Sequence, residues 1–383
     1  MSSLYIHIPF CRSRCAYCAF YSEVYEANKE FVEPYFKRLM AEVTHCVSLN
    51  PHGFDTVYLG GGNPGLLGVD RLLELLRLIH SVGKPREVTV EMNPETLSEE
   101  CFVLFEEGLL SRLSIGIQSM NDRFLKRLGR NTSARINQRA LTRAEQIRLR
   151  YGIEITFDLI IAIPNQTIED VRKDIDSVLG ICSANHLSLY ALTVEEGTRL
   201  YEEGGPVMGE DEQATLLYGV WGYLESIGFE HYEVSNFACG NHYSQHNLVY
   251  WNLGSYWGLG SSAASTQIEG ANLIHYVQGQ SLSEYALGDV GSGYEREELT
   301  LSERIEEEVM VRLRTKWGLD KESFHQRYGI RFSELFSPVI ESLDDSWYSA
   351  TSQFFVLTEI GFMVLDTILL RFFEQIAEAL DRH

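Results

Sequence analysis

The chain has 383 residues, 45% of them hydrophobic, which is enough for one large domain and a smaller one. Its 32 lysines and arginines are outnumbered by 54 aspartates and glutamates, and the resulting net charge of −22 repels nucleic-acid phosphates and anionic lipids. Nucleic-acid binding is therefore excluded as the main role. Because no run of about 18 uncharged apolar residues occurs and MSSLYIHIPF lacks the basic start of a signal peptide, we expect no membrane span and a cytoplasmic location.

Short β-rich runs alternate with helical patterns over the first half of the chain. Strands are predicted at 4–8, 56–60, 88–92, 112–118, 153–161 and 186–192, and helices at 33–47, 71–82, 99–108 and 134–150. This alternation predicts an α/β fold with parallel βαβ units, in either an open doubly wound sheet or a barrel. Polar and small residues recur at strand ends, which favours a barrel whose strands share one mouth.

The pattern changes after Ala191. Residues 229–295 are rich in aromatic residues, glycine, serine and asparagine, and we interpret them as material that lines a site. Residues 296–383 predict a smaller helical or winged-helix-like domain. Its first helix has an imperfect capping box at Ser302, and residues 353–376 predict a strand, a turn near Gly361 and a closing amphipathic helix.

Three of the seven cysteines, Cys11, Cys15 and Cys18, are spaced C-x3-C-x2-C after the first predicted strand. Three thiolates are one too few for a typical structural zinc site, but they can hold a [4Fe–4S] cluster and leave one iron open to a small molecule. The alternatives are a Cys3His zinc site that uses His7 or a distant histidine, and chance clustering. The other four cysteines are scattered and predict ordinary buried thiols.

Five motifs follow in order: YIHIPFC with its cysteine loop, YLGGGNP, VEMNPE, RLSIGIQS with LGR, and HNLVYWNLGSYWGLG. Together they resemble the radical S-adenosylmethionine (radical SAM) proteins of the oxygen-independent coproporphyrinogen III oxidase-like family. The resemblance runs from about residue 4 to about residue 380. It implies a partial (β/α)6 TIM-like barrel over 1–228, a site-lining extension over 229–295, and a C-terminal domain over 296–383.

In that family the three motif cysteines hold a [4Fe–4S] cluster, and S-adenosylmethionine (SAM) chelates its fourth iron. The resemblance therefore implies that Cys11, Cys15 and Cys18 are the cluster ligands. It implies SAM contacts at Tyr5, Tyr17, Gly61, Gly62, Asn63, Glu91, Gln118, Arg130, Asp158 and Ala191. In residue terms, the glycine segment lets backbone approach a ligand, and no Gly-Lys-Ser/Thr follows it to make a phosphate loop. A tight packing turn and a solvated strand-end glutamate are the alternatives for the glycines and Glu91.

The chain departs from the family pattern at two places near these contacts. Asn63 and Gly65 stand where the family usually has Thr and Ser or Thr. The segment IAIPNQT, residues 161–167, stands where the family typically reads G-L-P-G-Q-T. The loss of two glycines there is expected to change how closely this loop approaches a ligand.

The family contains porphyrinogen oxidases and HemW-type heme chaperones, and two features favour the chaperones. The oxidases have a fourth cysteine at the position of Phe20, and they carry a longer region before the first strand. HNLVY also matches the H-N-x-x-Y heme-binding motif of the chaperones, which implies His246 as an axial ligand and Asn247 and Tyr250 as its supports. A hydrogen-bonded core histidine is the alternative.

The resemblance thus implies a heme chaperone with a [4Fe–4S] cluster, SAM and heme as cofactors. Its implied partners are heme, an electron donor and heme-accepting apoproteins such as membrane-associated respiratory enzymes. Chaperones of this type need not turn over a substrate. If the protein acts catalytically, one-electron reduction of the SAM sulfonium is the implied chemistry. Porphyrinogen oxidation and a non-radical zinc module stay as alternatives.

Overall fold

The structure is a computed structural model that describes residues 2–204, 208–270 and 272–380. The last three residues of the predicted C-terminal domain, 381–383, lie outside this part. The described strands are β1 (Ser3–Ile8), β2 (Phe10–Cys11), β3 (Glu23–Val24), β4 (Thr56–Gly61), β5 (Glu87–Met92), β6 (Arg112–Gln118), β7 (Glu154–Ile161), β8 (His186–Ala191), β9 (Glu230–Glu233), β10 (Asn236–Ala238), β11 (Tyr256–Leu259), β12 (Ala264–Glu269), β13 (Asn272–Gln278), β14 (Tyr294–Glu298), β15 (Leu319–Asp320), β16 (Tyr348–Ala350) and β17 (Phe354–Leu357).

The helices follow the strands in the expected alternation. They are α1 (Lys29–Leu49), α2 (Val69–His80), α3 (Val103–Glu106), α4 (Asp122–Arg127), α5 (Ala134–Tyr151), α6 (Ile168–Ile181), α7 (Arg199–Glu202), α8 (Glu210–Ser226), α9 (Gln245–Trp251), α10 (Leu282–Leu287), α11 (Leu301–Arg312), α12 (Lys321–Tyr328), α13 (Phe332–Ile340), α14 (Glu359–Met363) and α15 (Leu365–Leu380). None of the helices in the described ranges is both long and apolar enough to cross a membrane.

One large sheet holds the first part of the chain together. Its strand order is β14-β13-β12-β11-β1-β4-β5-β6-β7-β8-β10-β9. The strands β1 and β4 to β8 are parallel neighbours in chain order, so the six predicted strands and the α/β barrel class are confirmed. Residues 230–298 extend both edges of this sheet, with β9 and β10 beside β8 and with β11 to β14 beside β1.

Alternation along the strands explains which face becomes the core. In β6, Leu113, Ile115 and Ile117 are fully buried in the main hydrophobic cluster, to which α5 and α6 also contribute. Ser114, which lies between two of them, points to the opposite face. That inner face carries polar side chains on successive strands, and it is where the candidate site lies.

The predicted helix at 99–108 is shorter than expected. A 3-10 turn, Glu99–Phe102, is followed by the four residues of α3. Helix α3 ends two residues before Gly108, which has a left-handed φ of 66°. Glycine in this conformation commonly ends a helix. Gly108, the last residue of the predicted helix, therefore marks where the helical segment ends.

The C-terminal region has a hydrophobic cluster of its own, built from α11 to α15 and a small antiparallel sheet in the order β15-β17-β16. The prediction of a capping box at Ser302 is wrong. Thr300 is the N-cap, its side chain accepts from the Glu303 amide, and the Glu303 carboxylate accepts from the Thr300 amide. Because the helix starts at Leu301, Ser302 lies inside its first turn. The boundaries 1–228, 229–295 and 296–383 stay predictions.

Candidate functional site

The cysteine loop leaves the sheet at the carboxyl end of β1. Beyond it, β2 pairs with β3, so Cys11 lies opposite Val24. The middle of the loop is fixed from the other side, because the Ala16 amide donates to the Leu128 carbonyl at 2.9 Å and the Ala16 carbonyl accepts from the Leu200 amide at 2.8 Å. The loop is therefore held in its middle as well as at the strand.

The three cysteines are free, partly exposed thiols that influence one another. The pKa of Cys11 is raised to about 12, mainly by burial and also by the neighbouring Cys15 and Cys18, against the opposing effects of a Ser22 hydrogen bond and the Arg130 guanidinium. Arg130 Nη1 also donates to Cys15 Sγ at 3.5 Å. Thiols of this kind lose their protons when they bind a metal. Within the described ranges, no three His, Cys, Asp or Glu side chains converge closely enough to hold a single metal ion.

The glycine segment at the end of β4 lies against the backbone that leads into the cysteine loop. The Gly62 amide donates to the Ile8 carbonyl and the Asn63 amide to the Phe10 carbonyl, both at 2.8 Å. A Cβ on Gly62 would lie 2.7 Å from the Phe10 carbonyl oxygen. This close backbone contact is enough to require glycine at position 62 without any ligand. The alternative of a tight packing turn therefore accounts for this residue at least in part.

Asn63 shows the clearest sign of an absent partner. The side chain is buried, its Oδ1 accepts from Thr96 Oγ1 at 3.0 Å, and its Nδ2 has no partner in the part of the chain that is described. Buried donors are almost always satisfied, so this amide needs a ligand or water. The Nε of Arg130 is likewise a buried donor without a hydrogen-bond partner in the described part of the chain. Two such donors beside three neighbouring thiols fit a cluster with a bound polar cofactor.

We predict that Gly62→Ala destabilises the fold and lowers cluster incorporation together, because the new methyl group pushes the Phe10 backbone away from β4. The expected loss is about 1–3 kcal/mol in the free energy of unfolding. Urea unfolding and iron analysis of reconstituted protein measure the two effects. Gly180→Ala on α6 is the control, since its methyl group meets nothing within 4 Å. Unchanged stability and iron content in Gly62→Ala would contradict this account.

Two carboxylates face the inside of the barrel. Tyr58 Oη donates to Glu91 Oε1, and the Gly61 amide donates to Glu91 Oε2 at 3.3 Å. Burial raises the pKa of Glu91 to about 7, although the Tyr58 hydrogen bond opposes the rise. Burial likewise raises the pKa of Asp158 to about 6, and Ser188, Ser114 and Arg130 oppose it. The interior therefore carries acidic groups suited to a cationic ligand.

The remaining predicted contacts lie around the same mouth. Arg130 Nη2 donates to the Gly116 carbonyl at 2.9 Å and to Asn93 Oδ1 at 3.0 Å. Gln118 ends β6 with a left-handed φ of 64°, an unusual conformation for this residue type. Tyr5, Tyr17 and Ala191 come from β1, the cysteine loop and the end of β8.

The loop at 161–167, which lacks the two glycines of the family pattern, has an unusual backbone conformation. Ala162 and Asn165, which stand at the two glycine positions of the family pattern, have left-handed φ values of 58° and 64°. The loop therefore keeps a glycine-like backbone without glycine, and asparagine tolerates this better than alanine does.

Sequence reasoning missed Tyr58 and Asn93, which contact predicted site residues directly. Tyr58 has a signal, because it lies two residues before Gly60 on the same face of β4. Asn93 follows the last residue of β5, where strand ends collect ligand contacts.

The H-N-x-x-Y segment lies elsewhere. His246, on α9, is completely buried, its Nδ1 is 2.8 Å from Thr56 Oγ1, and its Nε2 is 2.8 Å from Tyr250 Oη. Thr56 is the first residue of β4, whereas the glycine segment is at the other end. At about 3.3 Å per residue, the length of β4 separates the two by roughly 16 Å.

The heme-ligand role expected of His246 stays a prediction, and this placement shows what it would require. Both ring nitrogens bind protein groups, and burial lowers the pKa of His246 to about 3, so the ring is neutral. Axial ligation of heme iron would require Nε2 to leave Tyr250 and the ring to leave the core. Asn247, beside it on α9, is partly exposed and its amide donates to the helix-capping Ser244 Oγ at 3.4 Å. The alternative of a hydrogen-bonded core histidine accounts for this arrangement without any ligand.

The sequential parallel strands and the three-cysteine loop define a protein of the radical SAM class. The profile of the Radical SAM superfamily matches residues 5–178, and the HemN C-terminal domain profile matches residues 299–364. Radical SAM membership implies a [4Fe–4S] cluster and SAM as cofactors. The chain is 32% identical over 359 residues to "Heme chaperone HemW" of Bacillus subtilis, covering 90% of this chain and 91% of that protein. It is 30% identical over 353 residues to the protein of the same name from Lactococcus lactis, covering 89% of both chains.

The chain belongs to the family of these HemW proteins. The solved structure of the Escherichia coli coproporphyrinogen III oxidase HemN, a radical SAM enzyme, matches with a TM-score of 0.79 at 19% identity, covering 97% of this chain and 89% of that one. This likeness concerns the fold alone. The recognition of the family from its motifs is confirmed.

Proposed function

We propose that this protein is a cytoplasmic heme chaperone that binds a [4Fe–4S] cluster, SAM and heme, and passes heme to apoproteins such as membrane-associated respiratory enzymes. The observation that carries the proposal is identity of 30–32% over about nine-tenths of the chain to proteins named heme chaperones. Phe20 supports the same choice. It occupies the position of the oxidases' fourth cysteine, and it is 75% exposed beside Cys18.

In this proposal Cys11, Cys15 and Cys18 hold the cluster, which supplies single electrons to a SAM sulfonium when both are bound. The chain's own groups orient the cofactor. Gly61, Gly62 and the free amide of Asn63 bind its amino-acid end, and Glu91 and Asp158 face its positive charges. Arg130 holds Cys15 and the Gly116 carbonyl in place. The proposal does not require His246 as an iron ligand.

Anaerobically reconstituted protein tests the proposal when heme binding, heme transfer and porphyrinogen turnover are measured in one preparation. We expect stoichiometric heme, transfer of that heme to a heme-depleted b-type apoprotein, and no protoporphyrinogen from coproporphyrinogen III under reducing conditions. Phe20→Cys is the matched variant, since it recreates the fourth cysteine of the oxidases and is expected to leave heme transfer unchanged.

Three results would count against this reading. Protoporphyrinogen formation by the unsubstituted protein would favour the oxidase. Zinc without iron after reconstitution would favour the binding module. Tight heme binding without any transfer to the apoprotein would reject chaperone function while leaving the cofactor assignment intact.

A further inference from the structure

The H-N-x-x-Y segment closes the amino-terminal end of the barrel, opposite the cysteine loop. We propose that His246 and Tyr250 are positioning residues for SAM binding, which act through Tyr58 on Glu91. The proposal rests on the proposed function in one respect, because it takes Glu91 as a SAM contact. It gives the motif a role other than heme ligation.

The first step is the fixed orientation of the imidazole. The Thr56 hydroxyl donates to Ser3 Oγ at 2.8 Å, so it accepts from Nδ1–H of His246. The neutral ring then has its lone pair on Nε2, where it accepts from the Tyr250 hydroxyl. The nitrogen that a heme iron would need is therefore occupied, and the ring is held from both sides.

The second step is the contact between rings. The His246 ring packs against the Tyr58 ring with centroids 5.2 Å apart and planes inclined by 30°. Tyr5 packs on Tyr58 as well, at 6.2 Å. Tyr58 therefore lies between the motif histidine and a residue of β1, and its hydroxyl points to Glu91.

The third step links Tyr58 to the ligand-facing carboxylate. The Tyr58 hydroxyl donates to Glu91 Oε1, and Gly60 leaves the space in which both side chains lie. A Cβ on Gly60 would be 2.8 Å from Tyr58 Cε1 and 2.9 Å from Glu91 Oε2. A displaced Tyr58 ring thus changes the position of the Glu91 carboxylate.

The last step is the anchor of the motif itself. The His246 amide donates to Glu87 Oε1 at 2.9 Å, and Glu87 forms a buried ion pair with Arg112 at 3.0 Å. Glu87 and Arg112 are the first residues of β5 and β6. The motif is therefore hydrogen-bonded to the barrel strands, and this fixes the position of the His246 ring that packs against Tyr58.

SAM affinity of the reconstituted protein, measured by calorimetry, tests the proposal in a double-mutant cycle. We expect Glu91→Ala to weaken SAM binding by about 10- to 100-fold, since it removes a charged partner of the ligand. His246→Ala is expected to weaken it by about 3- to 10-fold in the unsubstituted background and to have no further effect on top of Glu91→Ala. A role in stability alone would not produce this loss of effect.

Two further variants keep the test informative if His246→Ala folds poorly. Tyr58→Phe removes only the hydroxyl that donates to Glu91 and is expected to act like His246→Ala. His246→Gln keeps hydrogen-bonding capacity and is expected to recover part of the affinity. His231→Ala is the matched control, because this histidine packs on Phe237 at 4.3 Å in the strands at the far edge of the sheet. It is expected to leave SAM affinity unchanged.

The outcomes separate the two proposals. Equal SAM affinity in His246→Ala and the unsubstituted protein overturns the positioning role, and so do additive effects in the cycle. Loss of stoichiometric heme in His246→Ala with normal SAM affinity overturns it in favour of axial ligation. A cluster-loaded unsubstituted protein that binds no SAM overturns the cofactor assignment of the proposed function along with the positioning role.

Discussion

Alanine at any one of Cys11, Cys15 and Cys18 is expected to abolish cluster formation. A [4Fe–4S] cluster held by three thiolates has one protein ligand for each of three irons, and SAM occupies the fourth, so the loss of one thiolate leaves two irons without a protein ligand. The effect on folding is expected to be small, because all three cysteines are partly exposed. Iron and sulfide per chain, with the broad visible absorption of the reconstituted protein, measure the result.

A fourth variant separates the cluster cysteines from ordinary thiols. Cys239→Ala removes a partly exposed thiol whose Sγ donates to the Gly228 carbonyl at 3.0 Å, well apart in sequence from the loop. It is expected to keep full iron content. Normal iron in Cys15→Ala would reject the assignment of this residue, and tight zinc in all three loop variants would place the metal at other residues.

The barrel could be predicted because its signals are local. Strands such as β5 and β6 alternate core and lumen residues, and helices such as α5 carry caps at both ends in the sequence, Ser133 and Gly152. The cysteine loop could also be found, because Cys11, Cys15 and Cys18 lie within eight consecutive residues. Periodicity is sufficient to predict the strands and helices, and spacing is sufficient to find the cysteine cluster, but its assignment to an iron–sulfur cluster came from the family resemblance.

The place of the H-N-x-x-Y motif could not be read in this way. Thr56 and His246, which share a hydrogen bond, are 190 residues apart in the chain. A motif written as five consecutive letters does not show whether its histidine faces the mouth or the closed end of the barrel. The strand order and the register of β4 decide that, and both are products of tertiary packing.

Replacement of Arg112 by alanine is expected to destabilise the protein by about 3–5 kcal/mol, because it leaves Glu87 as a buried charge without its ionic partner. Arg112 is only 3% exposed. Its Nε lies 3.0 Å from Glu87 Oε2, and its Nη2 donates to the carbonyls of His242 and Tyr243 at 3.2 and 3.1 Å. The same guanidinium therefore fixes the start of β5 and the segment that leads into α9.

The free energy of unfolding in urea measures this effect, and two companions define its cause. Arg296→Ala breaks an ion pair with Glu298 whose arginine side chain is 48% exposed, so a change within about 0.5 kcal/mol is expected there. Arg112→Met combined with Glu87→Gln removes both charges and is expected to recover much of the lost stability, since no lone carboxylate remains. If the double variant is as unstable as Arg112→Ala, the cost comes from the lost contacts to the His242 and Tyr243 carbonyls, and the buried charge is not its source.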